Sequence, residues 1–235
     1  MVQLEIKARQ TASYFLCIVV LLTLLHCLAL FLFFHSDKLI VQDFTLWFDL
    51  DTERNIPSLY SAAAILFCGL LSLLLAYFAK RKDTFHAIHW LGLACIFLFL
   101  SLDEACELHE ALGDWIENYV HATGLIYFPW VLPYSVFTCC CALLYWKFFL
   151  QLPRKTKRLF IIFGAMYLIG AVFFDMLGGR EAELHGFDSM LYCLLYTVEE
   201  VLEMLGIVGI IYTLLDYLEE QYGTIVITLQ RKSLQ

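Results

Sequence analysis

Four carboxylates occur in the ten-residue stretch SLDEACELHE at 101–110, directly after the apolar run HWLGLACIFLFL. Successive residues of an α-helix turn by about 100°, so Glu107 lies about 40° and Glu110 about 20° from Asp103, with Glu104 on the same broad face. His109 points about 120° away from Asp103 and joins the acids only if the helix is distorted. Carboxylates grouped in this way can bind metal cations or carry protons.

A second acidic group lies in YTVEEVLEMLG, where Glu199, Glu200 and Glu203 again follow apolar residues. The pattern D-E-x-x-E at 103–107 thus recurs as E-E-x-x-E at 199–203. Two three-helix halves of opposite orientation would form an inverted repeat, which in many transporters surrounds a midplane site. Acids that face any common interior also repeat at three or four residues, so both interpretations stay open.

The cost of charge in a bilayer indicates that these acids are functional. A charged residue at the bilayer centre costs about 2.5–3.5 kcal/mol even on the lenient insertion scale. The acids must therefore be protonated, hydrated in an outward-open cavity or neutralised by a cation, with a structural hydrogen-bonded network as the alternative. The nearest cation to the acids is Arg180. The acids concerned are Asp103, Glu104, Glu107, Glu110, Asp175, Glu199, Glu200 and Glu203.

Two histidines, His109 and His185, extend this set of candidate ligands to ten residues. Carboxylate oxygens suit calcium, magnesium or manganese, whereas carboxylates mixed with imidazole suit iron, manganese or zinc. A di-iron carboxylate bundle would carry Glu-x-x-His motifs, and this chain has none. The sequence therefore predicts a divalent cation without naming it, and protons remain the alternative species.

Composition places the chain among integral membrane proteins. It has 235 residues, of which 61% are hydrophobic and only 16% charged, against about 25% charged in soluble domains. Its net charge of −8 and the lack of a basic patch argue against nucleic-acid binding. Spanning helices need about 20 apolar residues. We expect one all-α transmembrane domain, 1–235, with six helices at approximately 12–34, 58–79, 87–111, 125–150, 158–178 and 189–215.

The distribution of lysine and arginine predicts that both termini lie inside. With that orientation twelve basic residues fall on the inner side and three, Lys38, Arg54 and Arg180, on the outer side. An excess of positive charge marks the cytoplasmic loops. The two acidic groups then lie toward the outer face.

The longest outer connection, 35–57, contains apolar residues at roughly helical spacing, which predicts a segment lying on the membrane surface and over the helix ends. Asp49, Asp51 and Glu53 form D-x-D-x-E, the start of an EF-hand pattern without its glycine and closing glutamate. We interpret this stretch as a solvated acidic turn that ends at Pro57, and calcium binding there as the lesser alternative.

Two stretches, FDLDTERNIP at 48–57 and SLDEACELHE at 101–110, resemble signatures of a family of small bacterial multi-pass inner-membrane proteins. The likeness spans roughly residues 47–113. The family has no established activity, so the resemblance supplies no functional residues. It does imply that the outer connection and the acidic helix belong to one unit, and that the protein lies in a bacterial inner membrane.

The function that we expect is cation handling by an outward-facing carboxylate cluster that binds a divalent metal or protons during transport. The main alternative is a membrane-embedded metalloenzyme that acts at the outer face on a lipid or small substrate, where a carboxylate would serve as the base for a metal-bound water. A non-catalytic assembly or sensor subunit is the third possibility. The partners expected are the lipid bilayer and the cation, with a homo-oligomer left open.

Overall fold

The computed structural model describes residues 2–35, 39–81, 84–223 and 225–229. The helices are α1 Ala8–His35, α2 Leu39–Phe48, α3 Ile56–Ala79, α4 Thr84–Cys106, α5 Leu108–Glu117, α6 Val131–Gln151, α7 Arg154–Leu168, α8 Asp175–His185 and α9 Met190–Tyr222. A 3₁₀ turn, Gly124–Ile126, precedes α6, and a π-helical segment, Ile169–Phe174, joins α7 to α8. Strands β1 Val2–Ile6 and β2 Ile225–Leu229 flank the helices.

Six helical segments of the described chain are long and apolar enough to cross a membrane, which confirms the all-α, six-helix prediction. They are Ala8–His35, Ile56–Ala79, Phe85–Cys106, Val131–Gln151, Arg154–His185 and Met190–Tyr222. The helix bounds differ from prediction in two informative places. The third span ends at Cys106 instead of 111, and the fifth continues to His185 instead of 178, which puts Asp175 within the span rather than at its end.

The longest helix, α9, forms the centre of the bundle, and α1, α3 and α7 all pack against it. It begins at the N-cap Ser189, whose hydroxyl accepts a hydrogen bond from the backbone N–H of Tyr192 at 3.1 Å. Gly206 lets α7 approach closely, because a Cβ at this position would lie 2.8 Å from the Cβ of Tyr167. The buried residues of α9 include most positions from Met204 to Leu218.

A packed apolar layer fills the inner half of the bundle, which is the half that the charge distribution predicts to face inward, with the other half called the outer. Trp90 and Phe148 are 0% and 2% exposed, and their rings meet edge to face with centroids 5.1 Å apart. Tyr217 lies against Trp90 at the same centroid distance, and Leu214 and Leu75 are fully buried nearby. Interiors packed in this way leave few voids that hold a water molecule, so this layer closes the inner side.

The outer connection begins with α2, which packs against α1 and α3, and continues through residues 49–55 to α3. Its residues 36–38 lie outside the described part of the chain. The fully buried His26 of α1 anchors this connection, because its Nδ1 accepts the backbone N–H of Leu50 at 3.2 Å and its Nε2 lies 2.9 Å from the Thr197 hydroxyl of α9. The connection therefore covers the outer ends of the helices, as expected.

The two ends of the described chain meet on one side of the bundle. Strand β1 pairs with β2 in antiparallel register, from Val2 opposite Leu229 to Ile6 opposite Ile225. This pairing was not expected from the sequence. It agrees with an even number of spans, while the inner location of the termini stays a prediction from charge. Lys38, Lys82, Arg231 and Lys232, which contributed to that prediction, lie outside the described residues.

Candidate functional site

A cavity of about 710 Å³ lies between α4, α6, the α7–α8 span and α9, with residues 50–53 and α5 at its outer end. Eleven carboxylate side chains line it, while its lining in the described chain contains no lysine or arginine. These acids are Asp51, Glu53, Asp103, Glu104, Glu110, Asp114, Glu117, Asp175, Glu199, Glu200 and Glu203. Glu110, Asp114 and Glu117 of α5 are exposed, which marks the outer mouth.

Eight of the ten residues that we predicted from the sequence line this cavity, namely Asp103, Glu104, Glu110, Asp175, Glu199, Glu200, Glu203 and His109. The other two lie elsewhere. Glu107 forms a two-pronged ion pair with Arg54, with N–O distances of 2.6 and 2.8 Å. His185 is on the exposed end of α8, where its Nδ1 lies 2.9 Å from Glu181. The cation that pairs with the acidic stretch is thus Arg54 and not Arg180.

A break in the helix brings His109 to the acids. Between α4 and α5, Glu107 adopts a left-handed backbone conformation with φ 56° and ψ 42°. This is uncommon for a residue other than glycine and costs on the order of 1 kcal/mol or more. Arg54 is the other non-glycine residue of the described chain with positive φ, at 58°. The ion pair therefore joins two residues with left-handed backbone, and the change of helix direction at Glu107 brings His109 to the cavity.

Both ring nitrogens of His109 face carboxylates. Its Nδ1 lies 3.4 Å from Oδ2 of Asp103, and its Nε2 lies 3.5 Å from Oε1 of Glu53. Asp103 is itself held by the hydroxyl of Tyr134, which donates a 2.7 Å hydrogen bond to Oδ1. The ring of Trp130 packs edge to face against the imidazole, with centroids 4.9 Å apart. A carboxylate that holds one nitrogen of an imidazole while the other nitrogen faces a possible ligand position is typical of histidine metal sites.

Two acids of the outer connection, Asp51 and Glu53, line the cavity, which the interpretation of D-x-D-x-E as a solvated turn did not predict, although Asp51 remains exposed. Asn55 caps α3 by accepting the backbone N–H of Ser58, and its amide nitrogen donates to the carbonyl of Asp49 at 2.6 Å. With the turn fixed, Asp51 accepts a 2.8 Å hydrogen bond from the hydroxyl of Tyr192, and Glu53 reaches His109. The resemblance that joined 48–57 to 101–110 was the one sequence signal for this contact.

Glu53, His109 and Glu110 each offer one ligand atom, and these atoms all lie within 4.8 Å of one another. Burial, which outweighs the opposing effect of His109, raises the pKa of Glu53 to about 8. Burial also raises the pKa of Glu110. For His109, burial alone would lower the pKa, but contact with Asp103 and the charges of Glu53 and Glu104 raise it to about 9. Without a cation, Glu53 and His109 therefore hold protons at neutral pH, and a metal ion would have to displace them.

Farther into the membrane, the α7–α8 span contributes Asp175 and α9 contributes Glu199, Glu200 and Glu203. Gly170, in the π-helical segment, permits this approach, because a Cβ there would lie 2.7 Å from the carbonyl oxygen of Glu199. π-Helical turns inside longer helices are frequent at functional sites. Asp175 is only 7% exposed, and its Oδ2 has no hydrogen-bond partner among the described residues. An oxygen left without a partner in a carboxylate-lined cavity is available to a ligand.

The fold and the cavity together define a polytopic membrane protein with a carboxylate-lined cavity in one half of its bundle. The chain belongs to the family described as "Domain of unknown function (DUF8692)", whose model matches residues 13–217. That range includes every acid named above. No curated protein and no solved structure matched the chain.

Proposed function

We propose that the protein binds a divalent cation from the outer side of a bacterial inner membrane and handles that ion as its primary function. The lining of the cavity carries this proposal, because eleven carboxylates and one histidine face a common space, and no lysine or arginine of the described residues lines it with them. Carboxylates at membrane depth are costly unless they are paired or neutralised. A divalent ion supplies the missing positive charge and uses oxygen atoms as ligands.

The proposed first ligands are Glu53, His109 Nε2 and Glu110, which converge at the outer level of the cavity. Asp103 would orient the imidazole through Nδ1, as carboxylates do for many metal-bound histidines. Asp175 supplies an unpartnered oxygen deeper in the same cavity. A mixed set of oxygen ligands and one imidazole suits manganese, iron or zinc, and Mn²⁺ is therefore the probe of choice.

Transport is the activity that we proposed first from the sequence, and it requires a second arrangement of the helices. The layer of Trp90, Phe148 and Tyr217 has to separate before an ion could pass inward, and the cavity wall next to this layer is apolar. A conformational change of this kind is common in transporters, where one group of helices rocks against another. An inward-open state would join the present cavity to the cytoplasm.

A metal-dependent enzyme is the second candidate, and the closed inner end of the cavity favours it. An enzyme needs access from one side only. In that role, one of the carboxylates would accept a proton from a water bound to the metal. The alternative also suits the amphipathic lining of the cavity, which is acidic toward the outer face and apolar toward the middle of the membrane.

Two measurements test the proposal. Protein purified in detergent and loaded with Mn²⁺ is analysed for bound metal in the wild type and in the Glu53→Gln, His109→Gln and Glu110→Gln variants. Each variant should lose bound metal, while the control Asp188→Asn, at an exposed position outside the cavity, should retain it. Equal metal content in all of them would contradict the site.

Proteoliposomes then separate the two activities. Uptake of Mn²⁺ that depends on Glu53 supports transport. Metal binding without uptake in well-sealed proteoliposomes removes transport and leaves the enzyme.

A further inference from the structure

The inner half of the cavity is a chamber with apolar walls, and the proposed cation site does not use it. On α4, the lining changes from Leu93 and Phe97 to Asp103 as the helix runs outward. On the α7–α8 span, it changes from Phe160 and Gly164 to Asp175 in the same direction. From Leu93 to Asp103 the rise is roughly 15 Å along the helix axis. The chamber is thus several helical turns deep.

The lining also changes from polar to largely apolar on α6 and α9, which run from the outer to the inner side. On α9 the acids end at Glu203 and the lining continues inward with Ile207 and Ile210, while on α6 Tyr134 at the outer level is followed by Phe137. On α4, the α7–α8 span and α9 the lining therefore changes from carboxylates to mostly apolar residues toward the inner side, whereas on α6 it also includes Thr138. A space with this lining matches a molecule that has a polar head and an apolar tail. Pockets that bury drug-sized ligands have volumes of roughly 300–1,000 Å³, and this cavity lies in that range.

Access from the bilayer is possible on the side of α6. Only Val131 and Phe148, near the two ends of this helix, are buried. No residue between these two is buried, and Phe137 lines the cavity while keeping 38% of its surface exposed. An aliphatic chain can therefore enter from the lipid at the level of the chamber. The packed layer around Trp90 closes the chamber below, so a chain that enters ends there.

The charge of the lining restricts the head group. Phosphate and carboxylate heads are usually bound by arginine or lysine, and the described lining contains neither. Trp130 and Tyr134 lie at the level of the acids, and aromatic faces attract cations. A head with an amine therefore fits this lining better than an anionic head does.

From this geometry we infer that the cavity binds a long-chain amine, with its aliphatic tail in the apolar chamber and its amine among the carboxylates. The inference deepens the proposed function, since it names a substrate class for the same cavity. The chamber keeps the tail, which arrives from the bilayer, in apolar surroundings while the head group reaches the acids. The amine gains it from the carboxylates that also hold the proposed cation.

Gly164 offers a direct test, because a Cβ added there meets no atom within 4 Å. A Gly164→Leu side chain thus projects into the chamber without disturbing the helix. The control is Ile161→Phe, which adds bulk on the same helix at a residue that is 59% exposed and outside the cavity lining. Gly164 is also eleven residues, or roughly 16 Å along the helix, from Asp175, so the variant should keep its bound Mn²⁺.

The experiment uses the full chain in lipid nanodiscs and a long-chain amine with a photoreactive diazirine near the end of its tail. We expect labelling in the peptides of α6 and α7, competition by dodecylamine, and little competition by laurate. Gly164→Leu should reduce this labelling by about tenfold or more, since the leucine side chain occupies the space that the tail needs. Ile161→Phe should leave it unchanged.

Undiminished labelling of Gly164→Leu, or labelling on lipid-facing residues alone, would overturn the inference. Competition by laurate as strong as that by dodecylamine would overturn its assignment of the head group. Bound Mn²⁺ is measured on the same samples. Chamber labelling without any bound metal would support this inference and count against the cation site, while bound metal without chamber labelling would do the reverse.

Discussion

Replacing Tyr134 by phenylalanine isolates the contribution of the residues that orient the proposed metal ligand. The Tyr134 hydroxyl donates a 2.7 Å hydrogen bond to Asp103, whose other oxygen faces Nδ1 of His109. Tyr134 itself is not one of the three proposed ligands. Tyr134→Phe therefore keeps every ligand and the aromatic ring, and removes only the group that holds Asp103 in place.

The size of the effect follows from this hydrogen bond. A hydrogen bond to a charged group contributes about 1.5–3 kcal/mol, and about 1.4 kcal/mol corresponds to a tenfold change in affinity. If most of the free energy of this hydrogen bond is lost from metal binding, the affinity for Mn²⁺ falls by about 10-fold to 100-fold. This is the range seen when residues that hold metal ligands in place are removed. Water in the open cavity can replace part of the hydrogen bond, so we expect a value near tenfold.

The affinity is measured by equilibrium dialysis of the purified protein against Mn²⁺, together with the melting temperature of each metal-free sample. The control is Tyr119→Phe, because Tyr119 is 73% exposed and outside the cavity lining. Unchanged affinity in Tyr134→Phe, together with lost binding in Glu53→Gln, would refute the role assigned to Asp103. An equal loss in Tyr119→Phe would show that the effect is not specific to the site.

Three further predictions concern stability, pH and topology. Gly170→Ala should destabilise the fold by about 1–3 kcal/mol through overpacking against α9, whereas Gly164→Ala should be neutral or slightly stabilising; equal melting temperatures would contradict the close approach. The pKa of Glu53 is raised from 4.5 to about 8 by burial. Without metal, its contribution to stability should therefore be full below pH 4.5 and lost as the pH rises through about 8, and a melting temperature that rises over this interval would contradict it. In a cysteine-free background, a cysteine at Glu183 should react with an impermeant thiol reagent added outside, and one at Lys155 should not; the reverse pattern would invert the topology.

The sequence predicted that the acids of the spanning helices face the interior, because they lie beside or within long apolar runs. Asp103 and Glu203 follow or interrupt long apolar runs, so they have to face a shared interior. Asp51 and Glu53 could not be recognised in the same way, because acids in a polar connection are usually solvated. Their inclusion depends on the cap at Asn55 and on contacts with distant helices.

The position of His109 depends on a break that has no local signal. No glycine or proline lies near Glu107, and helical periodicity predicts that the helix continues. At the break, Glu107 forms an ion pair with Arg54, which lies 53 residues earlier in the chain. The π-helical segment before Asp175 also lies at a tertiary contact, since Gly170 packs closely against α9 there. Sequence periodicity therefore predicted the helices well, and failed where tertiary contacts change their course.

The central place of α9 has a consequence for how the protein is made. This helix follows the other five spans along the chain, yet α1, α3 and α7 all pack against it. During synthesis the N-terminal parts of a chain usually fold first. Here the earlier helices enter the bilayer before α9, their common packing partner, has been synthesised. Until α9 arrives with Glu199, Glu200 and Glu203, the cavity lacks one wall. Asp103 and Asp175 are therefore only partly enclosed by protein until α9 has inserted. During this interval the nascent chain most needs the insertion machinery to shield these acids from lipid.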